Sequence, residues 1–182
     1  PSITPLPSTT PSITPSPSPT APDFVIAGND YDGDGLADFP VWNPDNSLWL
    51  INLSGGGFPL SFYFGRSGDL PVPGDYDGDG LTDPAIFRPR MGLWAISGLT
   101  RLYFGGADDI PVPGDYDGDG TVDPGIFRDA SGLWAIRGIT RRYYGKTGDL
   151  PIPGCYLMGS GDLIGIWRPE SGLWAIPGFT RC

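Results

Sequence analysis

Apolar positions along this chain come in short runs, never in a long stripe. The runs PAIFR, GLWAIS and TRLYF are aromatic and β-branched, and Gly, Pro and Asp separate them. Bounded in this way, they predict strands over Pro84–Arg88, Gly92–Ser97 and Thr100–Phe104. A fourth run, Asp69–Asp75, carries prolines that cannot donate to a ladder, so it is expected at a sheet edge. Nothing shows the sustained 3.6-residue period of a helix.

The same order of runs recurs. Residues 68–105 and 108–145 align without a gap, so that Asp75 falls on Asp115, Trp94 on Trp134 and Gly105 on Gly145. A third copy runs over 148–182, and a looser first copy over 23–65. Four short strands in about 40 residues is the size of a small propeller blade, and a fixed period of that length marks a repeat architecture. The expected fold is therefore all-β: four tandem blade-like repeats over 23–182, as a small propeller or an open array.

Residues 1–22 are different. They hold 8 Pro and 10 Ser/Thr with no charge and no aromatic, and PSITP occurs twice. This composition cannot bury a core and favours extended polyproline II, as in O-glycosylated stalks. Fully extended, the segment would span roughly 68 Å. Its hydroxyls (Ser2, Thr4, Ser8, Thr9, Thr10, Ser12, Thr14, Ser16, Ser18 and Thr20) are candidate O-glycan sites. The chain starts at Pro1 without Met, which suggests removal of a leader.

Composition narrows the function. The 182 residues include 29 Gly and 22 Pro, which the repeat explains as turn punctuation. The net charge is −10, which argues against nucleic acid and anionic membranes. No apolar run approaches the ~18 residues of a membrane-spanning helix. There is no His, which removes His-based catalysis and His-ligated zinc. Among the acids only Glu170 is Glu; the rest are Asp, which prefers turns and hard-metal sites.

Most of those Asp lie in one recurring motif, D-x-D-x-D-G-x-x-D. Its carboxylates are Asp30, Asp32, Asp34 and Asp38; Asp75, Asp77, Asp79 and Asp83; and Asp115, Asp117, Asp119 and Asp123. Acids at positions 1, 3 and 5 of a tight loop converge, and Gly at position 6 allows the turn. The carbonyls of Leu36, Leu81 and Thr121 at position 7 can add a neutral oxygen, and the Asp at position 9 closes the shell. That donor set suits Ca²⁺, three ions per chain. The bland alternative is a set of Asx turns without metal. The loop starts like an EF-hand but lacks its Glu at position 12, where the second copy has Ile86.

These loops, set beside strands with FG or YG before the next GD-x-P-V-P-G-D, resemble the FG-GAP/VCBS-type repeat. That family includes the calcium-bearing blades of integrin α-chain propellers and many secreted bacterial proteins. The resemblance covers roughly residues 23–182. It implies β-blades, loop-bound calcium, and adhesive or extracellular roles rather than one reaction. The calcium roles carry over to the first three copies only. In the fourth, Cys155, Leu157, Gly159 and Leu163 stand at the ligand positions, so no metal is expected there.

Other recurring residues are weighed against packing. Trp49, Trp94, Trp134 and Trp174 could bind sugars, but strict recurrence favours a core between neighbouring blades. Arg88, Arg128 and Arg168 could reach a ligand carboxylate; stacking on a ring or bonding a carbonyl is favoured. The acids left outside the loops (among them Asp69, Asp109 and Asp149) form no distinctive pair, so catalysis by paired carboxylates is not expected. A secreted setting favours a disulfide, and Cys155 and Cys182 are expected to form it.

The expectation is thus a secreted, calcium-stabilised structural protein that assembles head-to-tail into an extracellular fibre. Residues 1–22 would be held against a neighbouring subunit, anchored by Ile3, Leu6 and Ile13. The last copy stops where the others continue into another strand, and an open edge invites one from elsewhere. The alternative is a monomeric adhesive module for a glycan or a protein partner.

Overall fold

The structure is a computed structural model that describes residues 24–25, 29–157 and 159–178. Its strands form four small antiparallel sheets, none closed into a barrel. The first contains β1 (Phe24–Val25), β2 (Phe39–Asn43), β3 (Leu48–Asn52) and β4 (Leu60–Tyr63). The second contains β5 (Leu70–Pro71), β6 (Ala85–Arg88), β7 (Leu93–Ile96) and β8 (Thr100–Tyr103). In the third are β9 (Asp109–Pro111), β10 (Gly125–Arg128), β11 (Leu133–Ile136) and β12 (Thr140–Tyr143). The fourth has β13 (Leu150–Pro151), β14 (Ile166–Arg168) and β15 (Leu173–Ala175). Strand order follows chain order in every sheet.

The expected strands appear with their ends trimmed by about a residue. The Pro-bearing run shrinks to Leu70–Pro71, at a sheet edge. Its two residues pair with Phe87 and Ile86, after which Pro73 has no N–H to continue the ladder. Between β7 and β8 the chain reverses through Gly98 at φ 76°, a conformation that favours glycine. Gly92, at φ 60°, ends a single 3₁₀ turn over Pro89–Met91. A Cβ there would strike the Gly105 carbonyl, so β7 and the chain after β8 can approach only because the side chain is absent.

Hydrophobic packing runs between successive sheets. Trp42 and Trp49 of the first pack with Ile86 and Ala95 of the second. Phe87 and Trp94 of the second pack with Ile126 and Ala135 of the third. Phe127 and Trp134 of the third pack with Ile166 and Ala175 of the fourth. At each junction an aromatic pair meets a small residue and an Ile, so each sheet covers the face its neighbour could not bury alone. Trp49, Trp94 and Trp134 are fully buried. Their indole N–H groups donate to the carbonyls of Phe64, Phe104 and Tyr144, each at 3.0 Å. They are core residues, as recurrence suggested. Trp174 differs: it is 51 % exposed, on the last described strand.

The clearest correction concerns the arginines. Arg88, Arg128 and Arg168 neither merely stack nor bond carbonyls; each forms a two-pronged ion pair with Asp69, Asp109 or Asp149. Nε and Nη2 donate to the two carboxylate oxygens at 2.7–2.8, 2.7–3.0 and 2.7–2.8 Å. All three Asp side chains are fully buried. Each of these acids is thus held by an arginine and not by a second acid. The sequence signal was a 19-residue Asp-to-Arg spacing in three successive copies.

Candidate metal centre

Each acidic loop is shaped by its own backbone. In the second, the first carboxylate, Asp75, accepts N–H bonds from Gly78 at 2.6 Å and Gly80 at 2.8 Å. Asp30 does the same with Gly33 and Gly35, and Asp115 with Gly118 and Gly120. The glycines have φ between 78° and 92°, so the chain coils around that carboxylate in a way side-chain-bearing residues resist. At the loop neck the last Asp pairs its backbone with the residue before the first: Asn29 with Asp38, Gly74 with Asp83, Gly114 with Asp123. The last carboxylate also accepts an N–H bond from the Tyr at position 2, at 2.7 Å in Asp38, 2.9 Å in Asp83 and 3.0 Å in Asp123.

This local wiring brings three carboxylates together in each loop. Asp30, Asp32 and Asp38 form one trio, Asp75, Asp77 and Asp83 a second, and Asp115, Asp117 and Asp123 a third. Within a trio one oxygen from each residue lies within 4.8 Å of the others. Asp34, Asp79 and Asp119 at position 5 stand outside these trios. Their Oδ1 atoms accept N–H bonds at 2.8 Å from Leu36, Leu81 and Thr121. The Thr121 hydroxyl also donates to Asp119, which with the Thr121 N–H lowers that carboxyl below its ordinary value.

The electrostatics suit a cation. The Asp83 and Asp123 carboxyls are pushed up, first by burial and then by repulsion from the other three acids of each loop. A cation among the trio would relieve that repulsion. All donors are hard oxygens, and three converging carboxylates fit Ca²⁺ better than a thiolate- or imidazole-seeking metal.

Successive loops touch. Thr82 N–H donates to the Asp30 carbonyl at 2.7 Å, Val122 to Asp75 at 2.7 Å, and Asp162 to Asp115 at 2.5 Å. In each case the residue before the last position of one loop bonds the first residue of the loop before it. The fourth loop keeps the neck bridge, Gly154 with Leu163, but no acidic trio is found there among the described residues. Cys155 occupies the first-carboxylate position, is exposed, and has Sγ 3.3 Å from the Leu157 carbonyl. Its expected partner Cys182 lies outside the described residues, as do Ile3, Leu6, Ile13 and every candidate glycan site of residues 1–22.

No family model matches the chain, and comparison with curated proteins and with solved structures found no match. The class that fold and site define is an all-β protein of small antiparallel sheets bearing three acidic clusters able to hold metal ions.

Proposed function

We propose that this chain is a secreted structural protein of the FG-GAP/VCBS type, made of four tandem blade repeats, stabilised by three Ca²⁺ and assembled into an extracellular fibre. The observation that carries the calcium reading is the convergence of three carboxylates in each of three touching loops. Asp30, Asp32 and Asp38, with their counterparts, would hold the ions. Asp34, Asp79 and Asp119 and the carbonyls of Leu36, Leu81 and Thr121 would complete the shells. Three divalent ions would bring the net charge from −10 to −4. In this reading the protein is not an enzyme.

The fibre reading starts from the fourth sheet. Among the described residues the fourth sheet has three strands, and β15 is the last of them. Trp174, on that strand, is half exposed where its counterparts are sealed. Residues 1–22 of another subunit would cover that place, anchored by Ile3, Leu6 and Ile13. Such a heterologous contact propagates unless a ring closes. Electron microscopy of the native material in calcium tests this. Filaments are expected; a monomer by light scattering under the same conditions overturns the fibre reading and leaves the calcium reading standing.

A further inference from the structure

A cavity of about 550 Å³ lies between the first two sheets. Ile86, Leu93 and Ala95 line its floor, all buried on β6 and β7. Tyr63 lines one side and is 74 % exposed. Arg66 and Arg101 also line it, and both are exposed. The ion pairs among the described residues engage Arg88, Arg128, Arg168 and Lys146, and neither of these two. The Arg66 Nη2 lies 3.9 Å from the Met91 sulfur. In a chain of net charge −10, two guanidinium groups outside the ion pairs beside one cavity are a local reversal of sign. One acid, Asp45, also lines the cavity, so the reversal is partial.

The apolar floor recurs, while Gly106 and Lys146 stand in the place of Arg66, Lys146 paired with Glu170. The next junction has a cavity lined by Ile126, Leu133, Ala135 and Arg141, in the places of Ile86, Leu93, Ala95 and Arg101. The third junction has one lined by Ile166, Leu173 and Ala175 beside Tyr143, the counterpart of Tyr63. A ligand that repeats along its own length can meet such a row at several points and gain avidity.

We propose that these junction cavities bind an acidic polysaccharide, with a uronic acid residue seated at the first. The carboxylate pairs with the Arg101 and Arg66 guanidinium groups, whose planar forks match it. The apolar face of the sugar ring lies on Tyr63, an amphipathic surface that needs little ordering to serve. The apolar floor of Ile86, Leu93 and Ala95 excludes water beneath the ring. The proposal rests on neither the calcium nor the fibre reading.

The test is titration calorimetry of the full chain with a hyaluronan tetrasaccharide, which alternates a uronic acid with a neutral sugar. Fully N-acetylated chitotetraose serves as the neutral comparator and tetra-aspartate as a stand-in for an acidic loop of a second copy. Measurements are made in calcium and in EGTA, below the melting temperature in each. Expected are binding of hyaluronan and not of chitotetraose, weakening with added salt, and at least a tenfold loss in Arg101→Ala and Arg66→Ala. Arg137→Ala, an exposed cation away from the cavity, should bind like the parent, and the melting temperatures of all three variants verify folding. No binding of hyaluronan, equal affinity for chitotetraose or tetra-aspartate, or unchanged affinity in both cavity variants overturns the proposal. Binding abolished by EGTA in a folded sample overturns it too, since the ligand would then be bridged through the loops.

Discussion

The Asp69 side chain is fully buried, and the two-pronged pair with Arg88 replaces the hydration it gives up. The Arg66 backbone N–H adds a third bond at 3.0 Å. Removing the arginine leaves a buried carboxylate without its partner. Arg88→Met should therefore cost about 3 kcal/mol, read from denaturant unfolding. The third copy of the clamp predicts a pH effect. The Arg168 guanidinium, donating to Asp149, holds that carboxyl below its ordinary value near 3.8. A depressed carboxyl stabilises the fold above the unfolded value, and the contribution is lost as pH falls from there through the folded value. Arg168→Met should thus lower the melting temperature at pH 6, with the gap to the parent closing below about pH 3.8. A gap that stays constant into acid would refute this account of the clamp. The pairing was hard to see in sequence because its partners are 19 residues apart with a loop between them. Only the register of β9 on β10, which sets Asp109 opposite Arg128, makes them neighbours.

At the scale of elements, the acidic loop does more than turn the chain. Each loop neck is closed by backbone pairing, and each loop leans on the next through one N–H bond. Contact is close: a Cβ on Gly78 would lie 3.1 Å from the Thr121 methyl. Without a cation, the carboxylates held together there repel. Binding of Ca²⁺ to the folded chain alone should stabilise it by mass action, about 2.7 kcal/mol per site at a hundredfold excess over Kd. EGTA should lower the melting temperature, and Asp77→Asn should reduce the calcium bound from three ions to two. A melting temperature indifferent to EGTA would refute the calcium reading. The fourth loop has a thiol where the others have their first carboxylate. If Cys155 is joined to Cys182, the cross-link would contribute about 3.5 kcal/mol in the chain-entropy account. Non-reducing peptide mapping should find that link, and free thiols or a link between two chains would refute it.

At the scale of the whole molecule, the four sheets bury their aromatic pairs one against the next, so stability is passed from neighbour to neighbour. On β15, the last described strand, Trp174 is half exposed. Deleting residues 1–22 should therefore leave the calcium-dependent melting intact and abolish fibres. Fibres formed by the truncated chain would show that assembly uses another surface.

The sequence by itself determined what is local. Strand positions follow from short apolar runs between turn formers, and the acidic loops follow from ligands and glycines within nine residues, where chain geometry alone brings Asp75, Asp77 and Asp83 together. Tertiary structure decided what depends on pairing and stacking. It left Asp79 outside the trio by directing it to the Leu81 N–H. It turned Arg88 and Asp69 into a buried pair, and it distinguished Trp174 from three sealed tryptophans that share its motif. The reason is physical: a side chain's burial and partner are set by the strand beside it and the sheet against it, and neither is written in the residue's own neighbourhood.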